Sequence, residues 1–318
     1  MEPYPLTFEP ILKEKVWGGR TLERFGKKLP DGAAIGESWE LADLPASIPD
    51  GKSIIANGPC AGDPLDCNFP LFMKFLDASD NLSVQVHPSN EYASAHLESH
   101  LKSEAWIILD TTSDGLIYVG LKEGTTEQTL RESIKNDTVP ELLNTINVKK
   151  GECYYLPSGT CHALGAGVLV AEVQTPSDTT FRVWDWGRTN RQMHVDQAME
   201  CIDFDATELS FTQPKPLQSG DFLTTHFVDT PFFSIERIEA TVDTTLELIV
   251  DETPVVIMVV EGHASIVHAV PVDAPAGTTV LLPTGLTNAS MAMPKATAVL
   301  RFDVPTNNML AKNLSTRG

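Results

Sequence analysis

Positive charge is scarce in this chain. Its 318 residues carry 23 lysines and arginines against 43 aspartates and glutamates, a formal net charge of −20. Such a balance excludes the basic face that nucleic-acid binding requires. It also repels anionic small molecules at long range, so an anion site has to be a local cluster of Lys and Arg. Cysteine is sparse as well: Cys60, Cys67, Cys153, Cys161 and Cys201 form an odd set without a CxxC pair. That argues for reduced thiols in a cytoplasmic protein rather than a disulfide framework. Cys161 directly precedes His162, but neighbours on a strand point to opposite faces, which disfavours a thiolate ligand there. No apolar run approaches the roughly 18 residues of a membrane helix. The opening MEPYPLTFEPILKEKVWGG lacks a basic stretch followed by an apolar core. Neither a membrane span nor a secretory signal is expected.

What the chain does have is punctuation. It holds 21 glycines and 22 prolines, scattered between short apolar runs. Strands are expected at 71–76, 82–87, 105–109, 116–119, 152–156, 168–174 and 180–186. Many short strands separated by turns suggest a sandwich, jelly roll or barrel. Two helical stretches interrupt the pattern, at 90–97 and 125–146. In the second, Thr125 and Gln128 have capping-box spacing, and Leu130 and Ile134 share a face. Thr138, with Pro140 and Glu141 behind it, reads as a second helix start, so two short helices are expected there. LSFTQPKPLQSG at 209–220 is the best linker candidate. Beyond it, strands at 254–260, 264–267 and 278–282 resume with a similar turn rhythm, which hints at a second barrel-like module.

Four short clusters carry possible chemistry. In LSVQVHP at 82–88, strict alternation puts Ser83, Gln85 and His87 on one face. In KSE at 102–104, Lys102 and Glu104 share a face if the following strand extends backward. GECYYLPSGTCH at 151–162 runs a strand through a Pro-Ser-Gly turn to His162. Each pattern alone is ordinary: a solvated strand face, a surface ion pair, a turn histidine. Together Gln85, His87, Glu104 and His162 offer imidazole and oxygen donors without thiolate, which suits Zn²⁺ or a similar dication in an open catalytic site. The fourth cluster, AEVQTPSDTTFRVWDWGR at 171–188, sets Arg182 and Arg188 beside Trp184 and Trp186. Arg182 could equally pair with Glu172 or Asp178 as a structural lock, and the tryptophans read as packing.

The same segments carry a family resemblance. QVHP at 85–88, KSE at 102–104, PSGTCHA at 157–163 and EVQTPSDTTFR at 172–182 resemble the signature of type I mannose-6-phosphate isomerases, in matching order. Upstream, Trp17 in KVWGGR, ESWE at 37–40 and Lys74 in PLFMKFLD are also similar. The likeness runs from Trp17 to Arg188, is closest to the shorter bacterial form, and is faint after residue 209. Two departures stand out. LKSE replaces the HKPE of longer members, and Arg188 stands where they have a lysine.

The resemblance implies a mainly β protein of two cupin-like jelly-roll barrels with a small helical insertion at about 124–146. Residues 1–210 would form the catalytic barrel and 211–318 a metal-free one. It implies one Zn²⁺ per chain and interconversion of mannose 6-phosphate and fructose 6-phosphate through a cis-enediol. Lys102 and Arg182 would stabilise charge at the reacting carbons, and Asp178 is the first acid–base candidate. Lys74, Ser83 and Arg188 are candidates for the phosphate, with Arg20 behind them; Trp17 and Glu40 complete the expected substrate contacts. No membrane or nucleic-acid partner is expected. The alternatives are a non-enzymatic sugar-binding cupin and another cupin metalloenzyme, such as an oxygenase using His87, Glu104 and His162.

Overall fold

The computed structural model describes residues 2–206, 211 and 213–308. Twelve strands precede residue 185: β1 (Leu6–Thr7), β2 (Ile11–Gly19), β3 (Ile35–Leu41), β4 (Phe72–Ala78), β5 (Val84–Val86), β6 (Glu104–Thr111), β7 (Leu116–Leu121), β8 (Leu143–Asn147), β9 (Cys153–Leu156), β10 (His162–Leu164), β11 (Val168–Gln174) and β12 (Phe181–Trp184). Ten follow: β13 (Leu217–Ser219), β14 (Phe222–Asp229), β15 (Ser234–Ala240), β16 (Thr244–Leu248), β17 (Val255–Glu261), β18 (His263–Val267), β19 (Val272–Pro275), β20 (Thr279–Leu282), β21 (Ala289–Met293) and β22 (Ala298–Asp303). Three α-helices lie among them: α1 (Asn90–Ala95), α2 (Glu127–Asn136) and α3 (Val195–Cys201). None is long and apolar enough to cross a membrane.

The strands form two pairs of facing, open sheets, the jelly-roll arrangement of a double cupin. In the first pair, a six-stranded sheet (β2-β3-β4-β11-β6-β9) packs on a five-stranded one (β12-β5-β10-β7-β8). In the second, a seven-stranded sheet (β1-β20-β17-β22-β15-β14-β13) packs on a four-stranded one (β16-β21-β18-β19). The first strand crosses between the pairs: Leu6 lies opposite Leu281 in the seven-stranded sheet. Of the expected linker, Leu209, Ser210 and Thr212 lie outside the described residues, and its later part forms β13.

Strands β4, β6 and β11 explain how the site is made. All three are buried on both faces. Met73, Phe75, Ala105, Ile107, Leu169, Ala171 and Val173 point outward and meet Ile235, Val256, Met258, Leu300 and Phe302 of the seven-stranded sheet. The opposite parity points into the first barrel, where the character changes along the strands. At one end Leu76, Ala78, Trp106, Ile108, Val168 and Val170 fill the interior with apolar volume. At the other end the same face carries Lys74, Glu104, Glu172 and Gln174, all buried. Half the barrel is therefore core, and half is a polar cavity.

The helices lie against the outer face of the five-stranded sheet, where Leu130, Val139 and Met199 pack on Val84, Ala163 and Val183. The capping box falls one residue later than expected, with Thr126 and Thr129 bonding each other's backbone N–H. The helical stretch also ends earlier. A 3₁₀ turn at Val139–Leu142 contains Pro140 in its first positions, and Leu143–Asn147 is the edge strand β8 rather than helix. Within it Thr145 and Ile146 are β-branched and suit a strand, and Tyr118 lies opposite Thr145 in the β7–β8 ladder. Helix α1 stops at Ala95, short of Leu97, which stands exposed.

Candidate active site

Three strands of two facing sheets deliver the metal-ligand candidates. Gln85 sits in β5, His87 follows it, Glu104 opens β6, and His162 opens β10 directly opposite Gln85. His87 Nε2 lies 3.2 Å from Glu104 Oε2, and His162 Nε2 lies 3.2 Å from Glu104 Oε1. Among the described residues, His87, Glu104 and His162 form the one buried group whose ligand atoms all lie within 4.8 Å of one another.

The surroundings fix how these groups present themselves. His87 Nδ1 lies 3.1 Å from the Thr179 carbonyl, and His162 Nδ1 lies 2.8 Å from the Thr160 carbonyl. A carbonyl can only accept, so each Nδ1 carries the proton and each Nε2 turns a lone pair to the centre. His87 Nε2 and both Glu104 oxygens are buried without a hydrogen-bond partner. Lys102 Nζ does approach Glu104 Oε2 at 2.9 Å, but as an ion pair outside hydrogen-bond geometry. Polar atoms left so cost free energy, and a divalent cation at their convergence would satisfy all three. Gln85 Nε2 stands 3.4 Å from His162 Nε2. The two ends of a carboxamide are nearly isosteric, so a half-turn presents Oε1 there instead. Burial, with Lys102 close by, pulls the His87 imidazole down to about 3. Burial pushes the Glu104 carboxyl up, but Lys102, His87 and His162 outweigh it and hold it well below the ordinary range. A neutral His87 imidazole beside an ionised Glu104 carboxylate is the pairing of protonation states that metal binding requires.

Next to this group opens a cavity of about 240 Å³. Lys15, Lys74, Lys102, Arg182 and Arg191 line it, opposed by Glu37, Glu172 and Asp178. Lys74 pairs with Glu172 at 3.0 Å and donates to Gln174 Oε1 at 2.7 Å. Burial opposes its charge, but Glu172, Glu37, Asp178 and Glu104 overcome that and raise it above an ordinary lysine. Lys15 pairs with Glu37 at 2.9 Å. Burial would raise Glu37, yet Lys74, Lys15 and the Trp39 indole N–H bring it down to about 2.

Of the residues expected to contact substrate or do chemistry, Trp17, Lys74, Ser83, Lys102, Asp178 and Arg182 all face this cavity. Arg182 pairs with neither Glu172 nor Asp178: its Nη1 donates to the Gln192 carbonyl at 2.5 Å, and its buried Nε has no partner. Three of the expected residues lie off this cavity. Arg188 does not line the cavity. Its Nε and Nη2 hold Asp185, Nη2 also donates to the Asn81 carbonyl at 2.6 Å, and Nη1 reaches Asp80 at 3.3 Å. Arg20 bonds the Pro30 and Ala33 carbonyls and Glu23, away from the cavity. Glu40 points to the second barrel, because strand alternation puts Glu37 inside and Glu40 outside. There it takes Lys27 at 2.6 Å and Ser38 at 2.6 Å, while Lys27 also bonds the Gly277 carbonyl at 2.8 Å. Glu40→Ala would strand the buried Lys27 ammonium. A loss of about 3 kcal/mol or more is expected, read as a lower unfolding midpoint; an unchanged midpoint would contradict that role.

Lys15, Glu37 and Arg191 are cavity residues that sequence reasoning did not assign. Lys15 was within reach, two residues before Trp17 on the same strand face. Cys161 points away from His162 into the outer apolar cluster, where burial pushes its thiol up to about 12.

A cupin barrel that brings two imidazoles and a carboxylate together beside a cation-lined cavity has the donor set to hold a metal ion next to a substrate site. Comparison with known proteins narrows the class. No family model matches the chain. The mannose-6-phosphate isomerase ManA of Bacillus subtilis is 36% identical over 258 residues, covering 74% of this chain and 80% of that protein. A crystal structure of the mannose 6-phosphate isomerase from Bacillus subtilis superposes with a TM-score of 0.83 at 27% identity, over 94% of this chain and 99% of that one. A mannose 6-phosphate isomerase bound with zinc and yttrium shares the fold at 16% identity, with a TM-score of 0.69 over 94% and 99% of the two chains. The chain belongs to the mannose-6-phosphate isomerase family.

Proposed function

We propose that this protein interconverts mannose 6-phosphate and fructose 6-phosphate, using one Zn²⁺ held by Gln85, His87, Glu104 and His162. The observation that carries the reading is Glu104: a fully buried carboxylate, both oxygens without hydrogen bonds, between two imidazoles whose lone pairs face it. Nitrogen and oxygen donors without thiolate favour zinc in an open, catalytic setting. When bound, the dication supplies Lewis acidity to the substrate's carbonyl end.

The remaining steps belong to this chain's own residues. The reaction moves a proton between C1 and C2 of the sugar, and negative charge develops on the adjoining oxygens. Lys102, beside Glu104, and Arg182, in the strand next to Gln85, put fixed positive charge where that anion forms. Asp178 lines the cavity with no ion-pair partner among the described residues, which leaves its carboxylate available to take the proton and return it. Trp17 and Trp106 wall the cavity against the apolar core and limit water. We read residues 1–210 as the catalytic barrel. The odd cysteine count without a CxxC pair accords with a cytoplasmic setting.

A coupled assay for fructose 6-phosphate tests the reading. Mannose 6-phosphate should be converted, a strong chelator should abolish turnover, and added Zn²⁺ should restore it. Turnover insensitive to chelation, or absent in metal-loaded protein, would contradict the proposal.

A further inference from the structure

We propose that Arg191 anchors the substrate's phosphate and sets the preference for phosphorylated over free sugar. The identity of the ligand rests on the isomerase reading above; the existence of an anion site does not.

The cavity's cations divide into two groups. Every lysine is committed to a carboxylate: Lys15 to Glu37, Lys74 to Glu172 and Lys102 to Glu104. The arginines retain unpaired N–H groups. Arg182 has no carboxylate partner at all among the described residues. Arg191 holds Asp185 in a fork, with Nε donating to Oδ2 at 2.7 Å and Nη2 to Oδ1, which leaves Nη1 without a partner among the described residues. Arg188 shares that same Asp185, yet all three of its nitrogens are engaged and it lies off the cavity. Two guanidinium groups, Arg188 and Arg191, share the buried Asp185 carboxylate, with only the exposed Asp80 to help, and the unpaired charge of Arg182 lies close by. The excess positive charge falls on the cavity side. In a chain with a net charge of −20, this is the local cationic cluster that an anion needs.

Position separates the two free arginines. Across the five-stranded sheet, His162 lies opposite Gln85, and Gln85 lies opposite Arg182. Each step is one strand spacing, roughly 4.8 Å. The segment carrying Arg191 runs outside Arg182, since His194 N–H donates to the Arg182 carbonyl and Arg182 Nη1 to the Gln192 carbonyl. The order outward from the metal group is therefore His162, Gln85, Arg182, Arg191. A sugar whose C1–C2 end lies at the metal group carries its phosphate at the far end, where Arg191 waits. The Asp185 fork fixes the Arg191 guanidinium plane in advance, which suits bidentate or end-on contact with phosphate oxygens. Arg188 is then a positioning residue that holds Asp185 from behind.

The test pairs steady-state kinetics with calorimetric titration of inorganic phosphate into metal-loaded protein. Arg191→Ala should raise KM for mannose 6-phosphate by roughly tenfold to a hundredfold and weaken phosphate binding in parallel, with kcat falling less. Arg191→Lys should recover part of both and decides the matter should the alanine variant fold poorly. KM and phosphate affinity both within twofold of the parent in these variants would overturn the proposal. So would a larger KM effect from Arg188→Ala than from Arg191→Ala. If the parent binds phosphate through Arg191 but does not turn over mannose 6-phosphate, the anchor stands and the isomerase reading falls.

Discussion

Glu104→Gln is expected to lower kcat/KM by at least a hundredfold to a thousandfold and to bring metal content well below one ion per chain. The carboxylate is fully buried, and Lys102, His87 and His162 all face it. An amide keeps its shape but removes its charge. The Lys102 ammonium, also buried, then loses its partner, a change worth roughly 3–5 kcal/mol when it occurs inside a protein. At about 1.4 kcal/mol per decade, the expected loss in kcat/KM corresponds to roughly 3–4 kcal/mol of transition-state stabilisation, separate from that cost to the fold. Two measurements check it: metal analysis after gel filtration, and the coupled assay. A variant that kept both metal and activity would remove Glu104 from the centre of the account. A variant that kept metal but lost activity would place its weight on Lys102 instead.

Arg182→Ala should act on a different parameter. Its buried Nε has no partner in the protein, and its strand runs directly beside Gln85. Burial, and then the Arg191 charge, push the guanidinium below the usual arginine value, yet at any working pH it stays ionised. A preorganised cation of this kind contributes chiefly where charge develops during reaction. Removing it should lower kcat by roughly a hundredfold to a thousandfold, with a smaller change in KM. Arg191→Ala should show the reverse balance. The same effect on both parameters from both variants would mean that the two arginines form one undivided anion site.

How much of this was legible in the sequence follows from what was periodic. Gln85 and His87 share a strand face by simple alternation, as do Lys102 and Glu104, so these ligand candidates were readable from residue spacing. His162 was readable because a Pro-Ser-Gly turn delivers it. Alternation also explains the placement of ESWE: Glu37 and Glu40 differ in parity, so Glu37 faces the cavity, while Glu40 joins Lys27 against the second barrel. The choice between Arg188 and Arg191 was not legible. Both lie in the irregular stretch after β12, and their directions depend on the buried Asp185 that they share. Leu143–Asn147 was misread for a related reason. Pro140 and Glu141 signal a helix start locally, but the open edge of β7 recruits the next five residues as a strand.

The central claim is that one ion at Gln85, His87, Glu104 and His162 serves the isomerisation. Anomalous diffraction at the zinc edge, on crystals of zinc-reconstituted active protein, tests it most directly. The account predicts a single peak within about 2.0–2.2 Å of His87 Nε2, His162 Nε2, a Glu104 oxygen and Gln85 Oε1. A peak elsewhere, or none in protein that still converts mannose 6-phosphate, would contradict it.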